Sequence, residues 1–323
     1  MPARNKQVRV RRKKRTQRKR AAKRNHVSFD FAPRKIAMYL AFLVLIGLIA
    51  IVLKTPSDNW NSVEKLGIVY PRESGEVEVA IFDPRLKEIT RVVIPPNTEV
   101  TAAYQLGVWR TKSLWQLGQN EELGGRLLSS TVTNHLAMPT IGWADETFSG
   151  FVDGNTRALI KAVLQTNDTN LTFKDRLYLA YFTTKVHNTG YEVIDLADTA
   201  YLRPKKLEDG TDGYTTYASL PQQIAAVFSA NAFIGREVTV SIKDATGSMG
   251  ISSEIGQSIE TLGAKVASVT AVDEDEVDCV VKGEEDTIVS VFVDVFECDT
   301  DTITGETNFD VEITLGTLFL RRF

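Results

Sequence analysis

Cysteine and histidine are scarce. The 323 residues hold two cysteines and three histidines, which removes most metal and nucleophile chemistry at once. Cys279 and Cys298 form a Cys-x18-Cys pair, which is no zinc spacing, and His26, His135 and His187 are scattered, so no metal site is expected. Neither a Ser-His-Asp nor a Cys-His arrangement can be assembled from them. The full Gly-x-Gly-x-x-Gly of a dinucleotide site is missing. Acids are nearly missing from the start of the chain: residues 1–35 hold 15 Lys and Arg and one acid, Asp30. The remaining 288 residues carry a net charge of −17, an asymmetry hidden in the overall −3.

What is present is organised around IAMYLAFLVLIGLIAIVL at 36–53, eighteen residues without a charge between Lys35 and Lys54. As a helix it would cover about 27 Å, close to the hydrocarbon thickness of a bilayer. A buried core helix would be shorter or interrupted. A cleaved signal peptide would lack the 35-residue leader and would show a small-x-small site after Leu53, where Lys54-Thr55-Pro56-Ser57 stands instead. The run is therefore read as an uncleaved single-pass transmembrane helix. Cationic flanks stay on the cytoplasmic side, so the N-terminus is expected inside and the C-terminal part outside, at the plasma membrane. Residues 1–35 form a disordered basic tail suited to anionic lipid. Nucleic acid is the rival partner for this tail, disfavoured because no aromatic residue precedes Ser28 to stack on a base.

Residues 54–64 read as a tether. Beyond it, Val77, Val79 and Ile81 alternate with Glu76, Glu78 and Ala80, Asp83-Pro84-Arg85-Leu86 turns, and residues 89–94 run back, which makes a β-hairpin. Leu127, Leu128, Val132 and Leu136 share a helical face, as do Leu159, Ile160, Val163 and Leu164. Thr172-x-x-Asp175 resembles a capping box opening a third helix, and Val193-Ile194 suits a strand. Residues 65–195 are thus a first α/β domain, and 196–235 a connecting region with a polar loop, RPKKLEDGTDGY, and a helix after Pro221.

In 236–323, residues 238–242 form a strand, Asp244-Ala245-Thr246-Gly247 a turn, and Ile251, Ile255, Ile259 and Leu262 a helix closed by Gly263. A strand at 265–269 completes a βαβ unit whose strands should be parallel. Gly247 and Gly250 at the helix start mark a possible anion-binding turn, although such glycines usually serve only the turn itself. Cys279 and Cys298 are either a disulfide, as an oxidising compartment would allow, or two buried thiols. Ile288, Phe292, Val295 and Phe296 suit a helix, though the valines around them also suit a strand. Phe309, Val311, Ile313 and Leu315 alternate as a closing strand.

The hairpin, IPPNTEV at 94–100, Ala102-Ala103-Tyr104, a helix ending near Met138-Pro139 and the Ile-Gly-Trp exit at 141–143 together resemble the start of the bacterial LytR-CpsA-Psr domain. The strand, small-residue turn, helix and Leu-Gly-strand order of 236–323 is similar to the LytR C-terminal domain. The resemblance implies two extracytoplasmic mixed α/β domains behind one N-terminal anchor. It also implies transfer of a glycopolymer from a polyprenyl pyrophosphate carrier to the cell wall, with magnesium as the cofactor of that transfer. The family's Pro-Arg-Asp-Thr stands here as Pro95-Pro96-Asn97-Thr98. A guanidinium and a carboxylate are lost, and Pro96 offers no N–H. The early arginine of the family is sought in Arg72-Glu73-Ser74. A single donor in an anion site is worth ~2.7 to 4 kcal/mol, so such losses point to a non-catalytic relative that binds or scaffolds wall glycopolymer. No catalytic residue is assigned. Arg72, Asn97, Arg110 and Arg126 are the candidate ligand-binding residues for a glycopolymer or polyprenyl-linked carbohydrate, with exposed solubilising bases as the other account of the arginines.

Overall fold

A computed structural model describes residues 38–40, 42–44, 46–47, 60, 62–217, 219–248, 250–301 and 308–323. Two units divide the chain, 1–50 and 51–323. In the first, residues 38–40, 42–44 and 46–47 are helical with exposed side chains. The rest of the expected span 36–53, the basic tail and most of the tether lie outside the described residues. Among the described residues no helix is long and apolar enough to cross a membrane.

The second unit is a mixed α/β body with three mixed sheets. Its centre is a five-stranded sheet of β1 (Leu66–Pro71), β2 (Val77–Asp83), β3 (Glu88–Ile94), β6 (Gly142–Trp143) and β7 (Tyr191–Asp195), in the order β6-β1-β2-β3-β7. The expected hairpin is β2–β3, antiparallel from Val77↔Ile94 to Asp83↔Glu88. Alternation in VEVAIFD marks the strand, and every residue of β2 is buried. Val77, Val79 and Ile81 face one core, and Ala80 and Phe82 the other.

The first of these cores lies beneath α1 (Thr111–Asn120) and α2 (Arg126–His135), which contribute Leu114, Leu127, Leu128 and Val132. The second is aromatic. Trp60, Tyr70, Phe82, Phe148 and Phe151 pack with Leu179 beneath a 3-10 helix (Glu146–Phe151), α3 (Thr156–Gln165) and α4 (Phe173–Thr183). Helix α4 opens with the expected capping box: Asp175 N donates to Thr172 Oγ1 at 3.2 Å and Thr172 N to Asp175 Oδ2 at 2.8 Å. Gly67 lets the chain pass beside β1, because a Cβ there would stand 2.8 Å from the Pro139 carbonyl oxygen.

Residues 196–235, expected to be a connection with a helix, hold α5 (Gln222–Phe228) and also two strands. These are β8 (Leu202–Lys206) and β9 (Asp212–Thr216), which join β4 (Thr98–Ala102) and β5 (Gly107–Arg110) in the order β5-β4-β9-β8. Leu196, Tyr201, Leu202, Ile224 and Phe228 all enter the first core.

The last third follows the expected βαβ pattern. Strands β10 (Thr239–Asp244) and β11 (Lys265–Ala271) are parallel and flank α6 (Ile251–Thr261) in sequence. Strands β14 (Val311–Leu315), β12 (Cys279–Gly283) and β13 (Asp299–Thr300) complete a sheet ordered β11-β10-β14-β12-β13. Residues 286–296 are a helix, α7 (Asp286–Phe296), which buries Ile288, Phe292, Val295 and Phe296 on one stripe. Cys279 and Cys298 are joined by a disulfide. A short α8 (Thr317–Arg322) ends the chain. This third packs against the rest of the unit: Ser258 Oγ donates to the Thr133 carbonyl at 2.6 Å, and the Phe323 carbonyl accepts from Tyr104 N at 2.9 Å.

Replacing both cysteines by serine should lower the unfolding free energy of this sheet by about 3 kcal/mol, the loop-closure value for a span of this size. Hydrogen exchange of β12 and α7 in oxidised, reduced and substituted chains would measure it. Equal protection in all three would remove the disulfide from the account of stability.

Candidate functional site

Polar residues on the aromatic side of the central sheet converge at one end of β1, β2 and β3. The antiparallel register sets Tyr70 opposite Glu78, and Arg91 lies on β3 one diagonal step away. Both faces of β1 and β2 being covered, the Glu78 carboxylate is 4% exposed and Tyr70 is fully buried. A buried carboxylate must be paired. Glu78 accepts from the Tyr70 hydroxyl, meets Arg72 Nε at 3.0 Å and reaches Arg91 Nη1 at 3.5 Å. Asp153, just past the 3-10 helix, takes Arg72 through two bonds, Nη1–Oδ2 at 3.1 Å and Nη2–Oδ1 at 2.9 Å, and Arg91 at 3.3 Å.

Two guanidinium groups thus balance two carboxylates. Every nitrogen of the Arg72 guanidinium is engaged. Burial opposes its charge, but the bonds to Asp153 and Glu78 outweigh it and hold the Arg72 pKa above its ordinary value. Burial, with the Glu78 carboxylate beside it, keeps the Tyr70 hydroxyl protonated well past its usual range. The cluster is a charge-balanced ion-pair network, partly open to solvent at Asp153. Its carboxylates do not fit a magnesium ion, since arginines hold both Glu78 and Asp153.

The other candidates lie on separate partners. Asn97 sits in the turn from β3 to β4, where its Nδ2 donates to the Asp212 carbonyl at 3.2 Å and its own carbonyl accepts Tyr214 N at 3.1 Å. Its Oδ1 is buried without a hydrogen-bond partner. The Pro95 carbonyl accepts Thr98 Oγ1 at 2.9 Å and Thr111 Oγ1 at 2.7 Å. The Pro-Pro-Asn-Thr stretch therefore ties β4 to β9 and α1. Arg110 pairs with Asp209 at 2.6 Å, in a cleft of about 330 Å³ shared with Glu99, Trp109 and Lys112. Thr211 and Arg110 hold the Asp209 carboxyl well below the ordinary carboxylate range. Arg126, at the start of α2, lies 3.6 Å from Glu297 with both side chains about half exposed.

Gly247 and Gly250 adopt φ of +70° and +109° at the start of α6. They line a cleft of about 690 Å³ that also contains Asp244 and Glu260. Asp244 takes the local donors itself, accepting from Thr246 N at 3.0 Å, Thr246 Oγ1 at 2.6 Å and the Ser252 hydroxyl. The Glu274 carboxylate stands where a Cβ on Gly247 would be. Carboxylates at this turn disfavour an anion. Among the described residues no group of three or more His, Cys, Asp or Glu is placed to hold a metal ion.

Sequence reasoning found Arg72 and missed Tyr70, Glu78, Arg91 and Asp153. Glu78 was legible as an acid set between Val77 and Val79 in an apolar run; Asp153 had no signal, because only the tertiary fold brings it beside Arg72.

No family model matches the sequence, and no curated protein does. Solved structures do show similarity. B. subtilis TagT is 11% identical, with a TM-score of 0.35 over 51% of this chain and 91% of that one. B. subtilis TagV is 11% identical, with a TM-score of 0.36 over 63% and 99%. The LytR-CPS2A-psr family protein YwtF (TagT) with bound octaprenyl pyrophosphate lipid is 13% identical, with a TM-score of 0.36 over 64% and 96%. At such identities and scores no residue of this chain takes a role from theirs.

Glu78→Gln should lower the unfolding free energy by about 1 to 3 kcal/mol, because Arg72 and Arg91 are left with Asp153 alone to balance them. Tyr70→Phe should cost about 1 to 2 kcal/mol. Asp153→Asn should cost less than about 1 kcal/mol, as expected for a carboxylate 37% exposed. Denaturant unfolding followed by tryptophan fluorescence ranks the three, and an unaffected Glu78→Gln variant would contradict the pairing.

Proposed function

We propose that this chain is a membrane-anchored envelope protein of the LytR-CpsA-Psr kind that binds or scaffolds wall glycopolymer without catalysing its transfer. The observation that carries the reading is the closure of Arg72 on Glu78 and Asp153 through all three guanidinium nitrogens. Phosphoryl transfer from a pyrophosphate needs positive charge free to meet the anion. Here that charge is already balanced by carboxylates, and Asn97 serves a turn. Magnesium has no part in this reading.

In the same proposal residues 36–53 span the plasma membrane, residues 1–35 lie in the cytoplasm and two α/β domains lie outside it. The charge asymmetry of 15 bases to one acid before residue 36 supports that orientation. A disulfide between Cys279 and Cys298 suits an oxidising exterior. The wall polymer as ligand is supported by the resemblance of the 65–195 and 236–323 motifs to the family's two domains.

The full chain in detergent, mixed with purified wall glycopolymer, should retain the polymer unaltered. Given an undecaprenyl-linked substrate and magnesium, it should transfer nothing above background. Turnover that disappears in Arg72→Ala would replace this reading with the transferase.

A further inference from the structure

A cleft of about 720 Å³ opens on the aromatic side of the central sheet, at the far end of α4. It is built from three separate stretches: Trp60, Lys87 on the β2–β3 turn, and Tyr178, Tyr181, Lys185 and His187 at and beyond the end of α4. Among the described residues no Asp or Glu lines it. That is unusual in a part of the chain whose net charge is −17. The acid of the hairpin turn is directed elsewhere: Asp83 accepts from Arg85 N and Leu86 N and pairs with Lys65 at 3.6 Å.

The two lysines are available. Lys185 lies 5.1 Å from the centre of the Tyr181 ring, and among the described residues neither Lys87 nor Lys185 forms an ion pair. The last carbonyls of α4 attract one base to this place. They give no reason for Lys87, which comes from a different element and holds φ of +57° at its turn. Large apolar side chains stand exposed on the same stretches, with Val63 at 65%, Leu86 at 59% and Tyr181 at 58%. Free ammonium groups, aromatic walls and exposed apolar side chains suit the boundary between headgroups and acyl chains. Chain length agrees. Seven residue steps separate Leu53, the end of the apolar run, from Trp60, so a chain anchored by that run holds Trp60 within about 25 Å of its anchor.

We propose that this cleft seats the phosphate headgroup of an anionic phospholipid in the bilayer to which the chain is anchored, with the phosphate taken by Lys87 and Lys185 and the glyceryl and upper acyl part resting on Tyr178 and Tyr181. The inference rests on the anchored topology proposed above but not on the wall polymer.

The test uses the full chain in nanodiscs of phosphatidylcholine alone or with phosphatidylglycerol added, read by hydrogen exchange in peptides covering 84–88 and 178–187. Exchange there should slow only in the anionic discs, while β11 stays unchanged. Each lysine near an anionic surface contributes about a fivefold factor in affinity. The K87Q/K185Q chain should therefore lose about 25-fold of the lipid dependence, whereas K161Q on α3 should behave as the parent. Equal exchange in both discs by an inserted chain would overturn the proposal. So would equal protection by free glycerol 3-phosphate in phosphatidylcholine discs, which would make the ligand a soluble phosphate. Failure to insert in either disc would overturn the anchor, and the headgroup site with it.

Discussion

The strands β1 and β2 at the middle of the central sheet are covered on both faces, and that constraint governs the site beside them. A strand buried on both sides leaves no solvent for a charge to turn toward, so a charged residue on it must be neutralised where it stands. Glu78 near the start of β2 and Asp83 at its end are such residues, and Asp83 is met by Lys65; Glu78 needs more. Its neutralisation draws in the phenol of β1, the guanidinium groups of Arg72 just past β1 and of Arg91 on β3, and through them Asp153 from beyond the 3-10 helix. The network thus pins the aromatic layer to one end of the central strands and balances the positive charge of Arg72 and Arg91 there.

Local patterns in the sequence were enough for most elements. The β2–β3 hairpin, the capping box at Thr172 and Asp175, and the order of β10, α6 and β11 were each legible from a handful of residues. For residues 286–296 the stripe of Ile288, Phe292 and Val295 decides for a helix, because it lets α7 cover the sheet. What was not legible depended on neighbours distant in sequence. The alternation in β2 marked the strand but not its burial, because nothing local tells that Phe148, Phe151 and Leu179 close over it. The stretch RPKKLEDGTDGY reads as a loop, yet its ends pair as β8 and β9. Pro204 is tolerated because β8 is an edge strand, and Arg203 recovers some packing by stacking 3.5 Å from the Tyr217 ring centre.

The candidate site divides along the same line. Arg72 was visible as a base near the first strand, but its three carboxylate-bound nitrogens were not, and they reverse its meaning. Arg110 and Arg126 show the same gap between residue type and residue state, since Asp209 and Glu297 lie 99 and 171 positions away in the chain. Counting bases in a sequence therefore overstates the positive surface of a folded, acidic unit, where most guanidinium groups find a partner.

Lysines and arginines in the outer unit number 23 against 40 acids, so what a base does there depends on whether a carboxylate sits beside it. A base next to a carboxylate contributes a nearly neutral dipole, whose field falls off quickly and attracts no distant anion. A base with no carboxylate paired to it keeps its full charge and attracts an anion over a longer range. The β1–β3 cluster is of the first kind and the cleft beside α4 of the second. The same two residue classes, basic and aromatic, thus produce a structural clamp at one end of the aromatic layer and an open cationic seat at the other. The difference lies in where the fold sends its carboxylates: Glu78 and Asp153 into the cluster, Asp83 away from the cleft toward Lys65.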